Sequence, residues 1–463
     1  MKNHNEVQFN QKIEPLDWRY SATIVGLYKY FNLFGKENVD FRITDDAFEF
    51  NEEDITEERY YDFADFYFQM QGVNSSYKIT KRLLSKEELT KSERKLLKDK
   101  LKIISLQNVE ITEENHDILL ELVEQKRINF IKERYAKEGT YRYKKFINVN
   151  ERAKKVNLFD DRNSICRLVG YYVDKGRKTK SNSYNFSNKT FVYHNNRYFD
   201  FIPFAFVGDT DYLFINDSLS VNRLIDVNIM FDKAYLNTIK SLHRKVDITN
   251  YFIQSIAMLD KFVNSDVEVI YKNNEKYFST LYVRQESIDV IKNYAKHKSI
   301  KRLMNLNDLL NGSAENIYDC IFNLCNCDCF IESLLKEKVY TYLSNDLIYL
   351  NLLILNGGKE MDQNTDKNLK SAIACGKIVT SKLADNKLKA YRDTLLNTVI
   401  LHDYNRCIEI LLQMSNYTNT NFGFLFALIE DFEKNKNVMY MFINYLGSEK
   451  EKNDEEKENE NEK

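Results

Sequence analysis

The sequence predicts an α+β protein, with a mixed α/β N-terminal domain carrying antiparallel strands and an all-α C-terminal helical bundle. Three observations carry this. Between Ile165 and Ile215, runs rich in β-branched and aromatic residues alternate with polar loops, the signature of short strands. From Ile288 to Tyr445, apolar residues recur at helical spacing instead. Only 2 Pro and 13 Gly punctuate 463 residues, which favours long regular elements over linkers.

The first helix is announced by Pro15 and Asp17 ahead of an apolar-periodic run through Trp18, Ala22, Val25, Tyr28 and Phe31, with Asp17 as N-cap and Gly35 as the stop. Alternation in Val39-Asp40-Phe41-Arg42-Ile43 and in Ala47-Phe48-Glu49-Phe50 predicts two short strands, followed by helices to about Glu138. The main strand candidates are Leu168 to Val173, Phe191 to Tyr193, Phe201 to Val207 and Tyr212 to Ile215. Asp266 to Lys272 and Lys276 to Arg284 flank Asn273-Asn274 as the arms of a hairpin. Beyond it, helices are expected at Ile288 to Leu303, Ile317 to Leu343, Asn368 to Leu383, Leu388 to Met414 and Phe422 to Tyr445. The expected division is 1–286, 287–448 and a charged tail, 449–463, whose 8 acidic and 4 basic residues include no large apolar side chain.

Composition bounds the function classes. At 43% hydrophobic and 29% charged, the chain has the make-up of a folded, soluble protein. The segment from Met1 to Phe9 is polar and lacks the apolar core of a signal peptide. The most apolar run, Leu347 to Leu355, is about half the ~20 residues that span a bilayer, so it reads as a buried helix. Seven cysteines, an odd number, fit reduced thiols. A cytoplasmic protein without membrane contact is expected.

The formal net charge of −2 hides strong segregation. From Glu37 to Asp65 there are 12 acidic and 2 basic residues, whereas from Lys126 to Asp200 there are 19 Lys and Arg against 7 Asp and Glu. Aromatic residues thread the basic stretch. Cations hold phosphates and rings stack on bases, so this combination is the footprint of polynucleotide contact. Its clearest pieces are Tyr141 to Phe146, with Arg142, Lys144 and Lys145, and the loop bearing Lys175, Arg177, Lys178 and Lys180. A hairpin tip there would set those four cations on phosphates and Asn182 on a base edge. The bundle adds basic faces around Lys298 and Arg302 and around Lys377 and Lys382. A solvated basic surface, or one facing an acidic protein partner, is the competing reading.

Motifs for covalent chemistry are incomplete wherever they begin. Gly357-Gly358-Lys359 lacks the first glycine and the final hydroxyl of a phosphate-binding loop. His116-Asp117 and His402-Asp403 are dipeptides of the kind used by metal-dependent phosphohydrolases, but such sites need further ligands, and both pairs fall in predicted helical stretches. Cys320, Cys325, Cys327 and Cys329 lack the two-residue spacing of structural zinc sites and are placed in a predicted helix. No catalytic residue, metal or cofactor is expected. The alternative is a metal-dependent nuclease whose catalytic residues are dispersed in sequence.

Two stretches resemble a known family. Leu16-Asp17-Trp18-Arg19-Tyr20-Ser21-Ala22-Thr23-Ile24-Val25-Gly26-Leu27-Tyr28-Lys29-Tyr30-Phe31 is similar to the N-terminal helix of the large subunits of type I CRISPR interference complexes (Cascade), particularly of types I-A and I-B. Phe201-Ile202-Pro203-Phe204-Ala205-Phe206-Val207-Gly208, leading to Tyr212-Leu213-Phe214-Ile215-Asn216-Asp217, resembles a strand-rich segment of the same subunits. Some relatives carry a Cys-x-x-Cys zinc ribbon that this sequence lacks. The resemblance implies a non-catalytic subunit at the crRNA 5′ end that reads the protospacer-adjacent motif in target DNA and helps open the duplex. Its partners would be crRNA, target DNA, the other Cascade subunits and the helicase-nuclease recruited to them. Asn216, Asn222 and Arg223, at and after the second stretch, become further candidates for contact with nucleic acid, and the bundle would guide strands as a small subunit does.

Overall fold

A computed structural model describes residues 8–34, 40–70, 76–86, 88–106, 108–109, 115–130, 146–147, 168, 196–208, 211–217, 220–242, 248–258, 263–272, 278–310, 316–337 and 341–447. The chain divides into two compact units, Met1–Tyr251 with Val267–Tyr282, and Phe252–Asp266 with Val283–Lys463. The α+β class is as expected: among the described residues the first unit carries two small antiparallel sheets and the second is nearly all helical.

The first unit is organised around α1 (Trp18–Phe34), which starts where the Asp17 carboxylate accepts a hydrogen bond from Arg19 N at 2.8 Å. Its apolar and small residues fall on nearly every face, and Ala22, Ile24, Val25, Leu27, Tyr30 and Phe31 are all wholly buried. Burying a side chain the size of Phe31 contributes about 1.5–3 kcal/mol. Strands β1 (Gln11–Ile13), β2 (Phe41–Ile43) and β3 (Phe48–Phe50) form an antiparallel sheet in the order β1-β3-β2. Period-two alternation sends Phe48 and Phe50 inward, where their rings lie 5.8 and 5.4 Å from that of Phe31. Glu49, between them, faces out and pairs with Arg42 across the strands.

Helix α2 (Glu57–Met70) contributes Tyr60, Tyr61, Phe63 and Ala64 to the same core. Helices α3 (Ser76–Leu84), α4 (Lys91–Leu101) and α5 (His116–Gln125) enclose a separate small core that includes Leu83, Leu97, Leu101, Leu119 and Val123. α4 opens with a full capping box, Thr90 and Glu93 each accepting from the other's backbone N–H.

The expected strand Phe201 to Val207 is a correction. Arg197–Phe201 is a 3-10 turn, running into the short helix α6 (Ile202–Ala205), and only Val207–Gly208, β4, is extended. Pro203 stands in the first turn of α6, where its missing N–H costs nothing, whereas in a central strand it would remove a ladder hydrogen bond. β4 pairs with β5 (Tyr212–Asn216), and the sheet continues through β6 (Val267–Lys272) to β7 (Ser279–Val283), the two arms read as a hairpin. Helix α7 (Val221–Leu242) packs on β5, and its buried Asn228 donates to Ile215 O at 2.7 Å and accepts from Ile215 N at 3.2 Å. α1 and α7 are joined by an enclosed ion pair, Lys29 Nζ to Asp232 Oδ2 at 2.5 Å, with Phe204 O 2.8 Å from the same ammonium.

Helix α8 (Ile248–Met258) crosses the division between the units along the chain. In the second unit, the long helices expected from periodicity are broken into shorter ones. Ile288 to Leu303 is divided into α9 (Gln285–His297) and α10 (Ile300–Leu310), and Ile317 to Leu343 spans α11 (Ile317–Asn323), α12 (Asp328–Glu337) and the start of α13 (Thr341–Leu355). α14 (Gln363–Lys382) follows, then α15 (Asp385–Ile400) and α16 (Tyr404–Thr418) in place of one helix from Leu388 to Met414. α17 (Leu425–Glu430) and α18 (Phe432–Tyr445) end the unit. The breaks at Leu324 and His402 adopt left-handed backbone, φ 55° and 56°, without glycine or proline to mark them.

α18 is the central helix of this unit, and its buried face is unusually polar. Lys436 pairs with Asp328 at 3.0 Å, Tyr440 donates to Glu332 at 2.6 Å, Asn437 accepts from Asn351 at 2.9 Å, and Asn444 donates to Asn345 at 2.8 Å. Such a mutually satisfied network fixes helix register, because any slip would strand buried polar atoms.

Candidate nucleic-acid interface

Most of the basic and aromatic stretch lies outside the described residues, including Arg142, Lys144, Lys145, Lys175, Arg177, Lys178, Lys180 and Asn182. Two described rings of the region are packed in the core of the first unit. Phe146 packs on Phe206 at 4.7 Å, and Tyr198 lies edge-on to Phe50 at 5.3 Å.

The candidates after the second stretch are held inside the first unit. Asn216, at the end of β5, is buried and donates its amide to Glu268 Oε2 at 2.7 Å, directly across the ladder. Arg223, in the first turn of α7, lies 2.5 Å through Nε from the buried carboxylate of Asp217. Asn222 beside it is exposed.

The two basic faces of the bundle differ in how their cations are used. On the α14 side, Lys382 Nζ donates to Thr418 O at 2.7 Å and lies 3.2 Å from Thr420 Oγ1. It satisfies carbonyls at the C-terminus of α16, where cations are favoured by the helix dipole. Lys387 donates to Tyr417 Oη at 2.7 Å, and Lys377 lies 5.4 Å from the ring of Tyr445.

On the α9–α10 side the cations surround a stripe of α13 instead. Tyr342, Asp346 and Tyr349 recur at helical spacing, so they share one face of α13. Lys298 Nζ stands 2.8 Å from Asp346 Oδ1 and 5.9 Å from the Tyr349 ring; Arg302 reaches Asp346 Oδ2 at 3.5 Å and the Tyr342 ring at 5.9 Å. His297 meets Tyr349 edge-on at 5.9 Å. Asp346 is 1% exposed, yet its Oδ1 accepts no hydrogen bond, so the Lys298 contact is a charge contact away from the hydrogen-bond direction. The Tyr294 hydroxyl is likewise buried without a hydrogen-bond partner, and burial first, then the Asp346 charge, pushes its phenol up. Basic runs in the sequence marked Lys298 and Arg302. They could not mark Tyr342, Asp346 and Tyr349, which only their i, i+4, i+7 spacing would have linked.

The features weighed for catalysis take ordinary structural places. Gly357 and Gly358, with φ 61° and 79°, close the C-terminus of α13, and Gly358 N donates to Leu353 O at 2.8 Å. Contrary to the helical placement expected, Cys325 and Cys327 lie in the connection between α11 and α12, where Cys327 N is held by Asn351 Oδ1 at 2.7 Å. Cys327 is buried, and a hydrogen bond with Cys320 followed by burial pushes its thiol up. His402 is also moved from helix to the turn before α16, and its Nδ1 lies 2.5 Å from Tyr404 Oη. His116 opens α5, as expected of a helical position. Among the described residues, no three His, Cys, Asp or Glu side chains converge as a metal site, and no helix is long and apolar enough to cross a membrane.

Residues 9–446 match the family model described as CRISPR-associated protein Csx8, a span covering both units. No curated protein and no solved structure matches the chain.

Proposed function

The chain belongs to the CRISPR-associated protein Csx8 family, and from that premise we propose that it is a non-catalytic large subunit of a Cascade-type complex. In this reading it works in the cytoplasm with crRNA, target DNA, other Cascade subunits and a recruited helicase-nuclease. It reads the protospacer-adjacent motif and guides DNA strands while base pairing to the guide supplies sequence specificity, as in other RNA-guided systems. The family match over nearly the whole chain carries the proposal.

Binding is supported by the surplus of cations from Lys126 to Asp200, 19 basic against 7 acidic residues with aromatics among them. A scaffold role is supported by the fate of the carboxylates that the second unit draws together. Asp328 and Glu332 are tied to Lys436 and Tyr440 in the interior of the bundle, and Asp346 is enclosed beside Lys298 and Arg302. These acids neutralise and orient neighbouring side chains.

Co-expression with the proteins and crRNA encoded beside a CRISPR array tests this reading. The chain is expected to purify in a crRNA-containing particle, whose binding to target DNA depends on the flanking motif and weakens when the chain is omitted. A particle that assembles and finds its target equally well without the chain would overturn it. So would cleavage of DNA by the isolated chain with Mg²⁺ or Mn²⁺, abolished by one carboxylate substitution, which is the nuclease alternative.

A further inference from the structure

We propose that the edge formed by Lys298, Lys301 and Arg302 at the start of α10, with Tyr342 and Tyr349 of α13, grips the backbone and bases of a single-stranded polynucleotide. The inference rests on the reading of the chain as a nucleic-acid-handling subunit and names one surface for that work. Charge comes first. Helix N-termini carry partial positive charge and ordinarily attract acidic side chains. The first turn of α10 has no acidic residue and instead holds Lys301 and Arg302, with Lys298 just before it. Lys301 and Arg302 stand at the positive end of the α10 dipole, which they oppose, while Lys298 caps the C-terminus of α9 beside them.

Asp346 answers only part of that charge. One carboxylate, 1% exposed, meets Lys298 and Arg302, while the Arg302 side chain remains 53% exposed and Lys301 is exposed. Glu360 is engaged with Lys296 at 3.1 Å on the same side. A phosphate group would relieve the remaining surplus, both by pairing with the cations and by meeting the positive end of the helix.

The rings determine which polyanion fits. Tyr342 is 42% exposed next to Arg302, and Tyr349 is half-buried next to Lys298 and His297, so each cation is paired with a ring about one side chain away. Exposed rings beside phosphate-binding cations favour unpaired bases, whose faces are free to stack, over a duplex, whose faces are covered. An acidic protein segment would engage the charges but presents no flat face to stack on an exposed ring such as Tyr342. Asp346, between the two rings along α13, meets both Lys298 and Arg302.

The test compares binding of a fluorescein-labelled oligothymidylate, its duplex with oligoadenylate, and a polyglutamate peptide by fluorescence anisotropy in rising KCl. Wild type is expected to prefer the single strand. Lys298→Ala/Lys301→Ala/Arg302→Ala should weaken it about tenfold or more and flatten the log–log salt slope by about 2, from three contacts at about 0.7 each. Tyr342→Ala should weaken binding about tenfold with little change in slope, and Tyr342→Phe, which keeps the ring, should bind as wild type does. Circular dichroism melts confirm that each variant is folded. A folded triple variant that binds the oligothymidylate as wild type does overturns this surface and leaves the broader reading standing. Wild type that binds only polyglutamate, or no polynucleotide in the free or assembled state, overturns both.

Discussion

Gly26 of α1 faces the backbone of Phe201 so closely that a β-carbon at Gly26 would stand 2.2 Å from the Phe201 carbonyl oxygen. Helix and turn therefore meet main chain to main chain, and the two stretches that resemble the Cascade large subunits are one packed unit: Tyr30 lies 5.3 Å from the Phe201 ring, and Trp18 lies 6.2 Å from Phe206.

Gly26→Ala is expected to push α1 off the turn. The obstructing atoms are backbone and cannot rotate away, so overpacking of about 1–3 kcal/mol or more is expected. Urea unfolding should show a lower midpoint; an unchanged midpoint would show that the turn yields.

Lys29 and Asp232 form the enclosed ion pair between α1 and α7, with side chains 7% and 10% exposed. Removing one partner leaves an uncompensated buried charge, so Lys29→Met or Asp232→Leu alone should destabilise by about 3–5 kcal/mol. The double variant should recover much of that loss. Additive losses in a double-mutant cycle would contradict the pairing.

Glu433 supplies a pH dependence with a definite sign. The Tyr404 hydroxyl, then the charge of Lys436 and contacts with His402, hold its carboxyl below the usual glutamate range. A depressed folded value contributes stability above the unfolded pKa of about 4.3 and loses it as pH falls through the folded value. The stability difference between wild type and Tyr404→Phe should therefore be fully present at neutral pH and shrink in acid. Urea melts across pH that show a constant difference would contradict this.

The cysteines should separate by reactivity. Burial pushes the Cys407 thiol up to about 12, and Cys327 is also buried, whereas Cys325 and Cys329 are exposed. Iodoacetamide labelling of the native protein, mapped by mass spectrometry, should modify Cys325 and Cys329 ahead of the other described cysteines, Cys320, Cys327, Cys375 and Cys407. Equal early labelling of Cys407 would show that α16 opens.

The sequence makes parts of this molecule readable and conceals others for identifiable reasons. α1 is legible because Asp17 is a good cap and the apolar run behind it is long, and the sheet of Phe48 and Phe50 because alternation is local. Phe201 to Val207 reads falsely as a strand because aromatic and β-branched residues outweigh Pro203, the one residue that forbids a central strand. The helix breaks at Leu324 and His402 carry no local mark because neither is glycine or proline. At the candidate interface, basic runs reveal Lys298 and Arg302, but the partner of Lys382 lies 36 residues away in sequence. No local pattern could show that its charge completes the end of a neighbouring helix.

We propose that this CRISPR-associated chain holds polynucleotide through cations and breaks no bond in it. The most direct test is anisotropy of labelled target DNA with wild type and with Lys175→Ala/Arg177→Ala/Lys178→Ala/Lys180→Ala, in rising KCl with Mg²⁺ present and the DNA recovered on a gel. Affinity is expected to fall linearly with salt in log–log form, with a shallower slope for the variant and intact DNA throughout. No binding at low salt, or DNA cut by wild type and spared after a single carboxylate substitution, would contradict it.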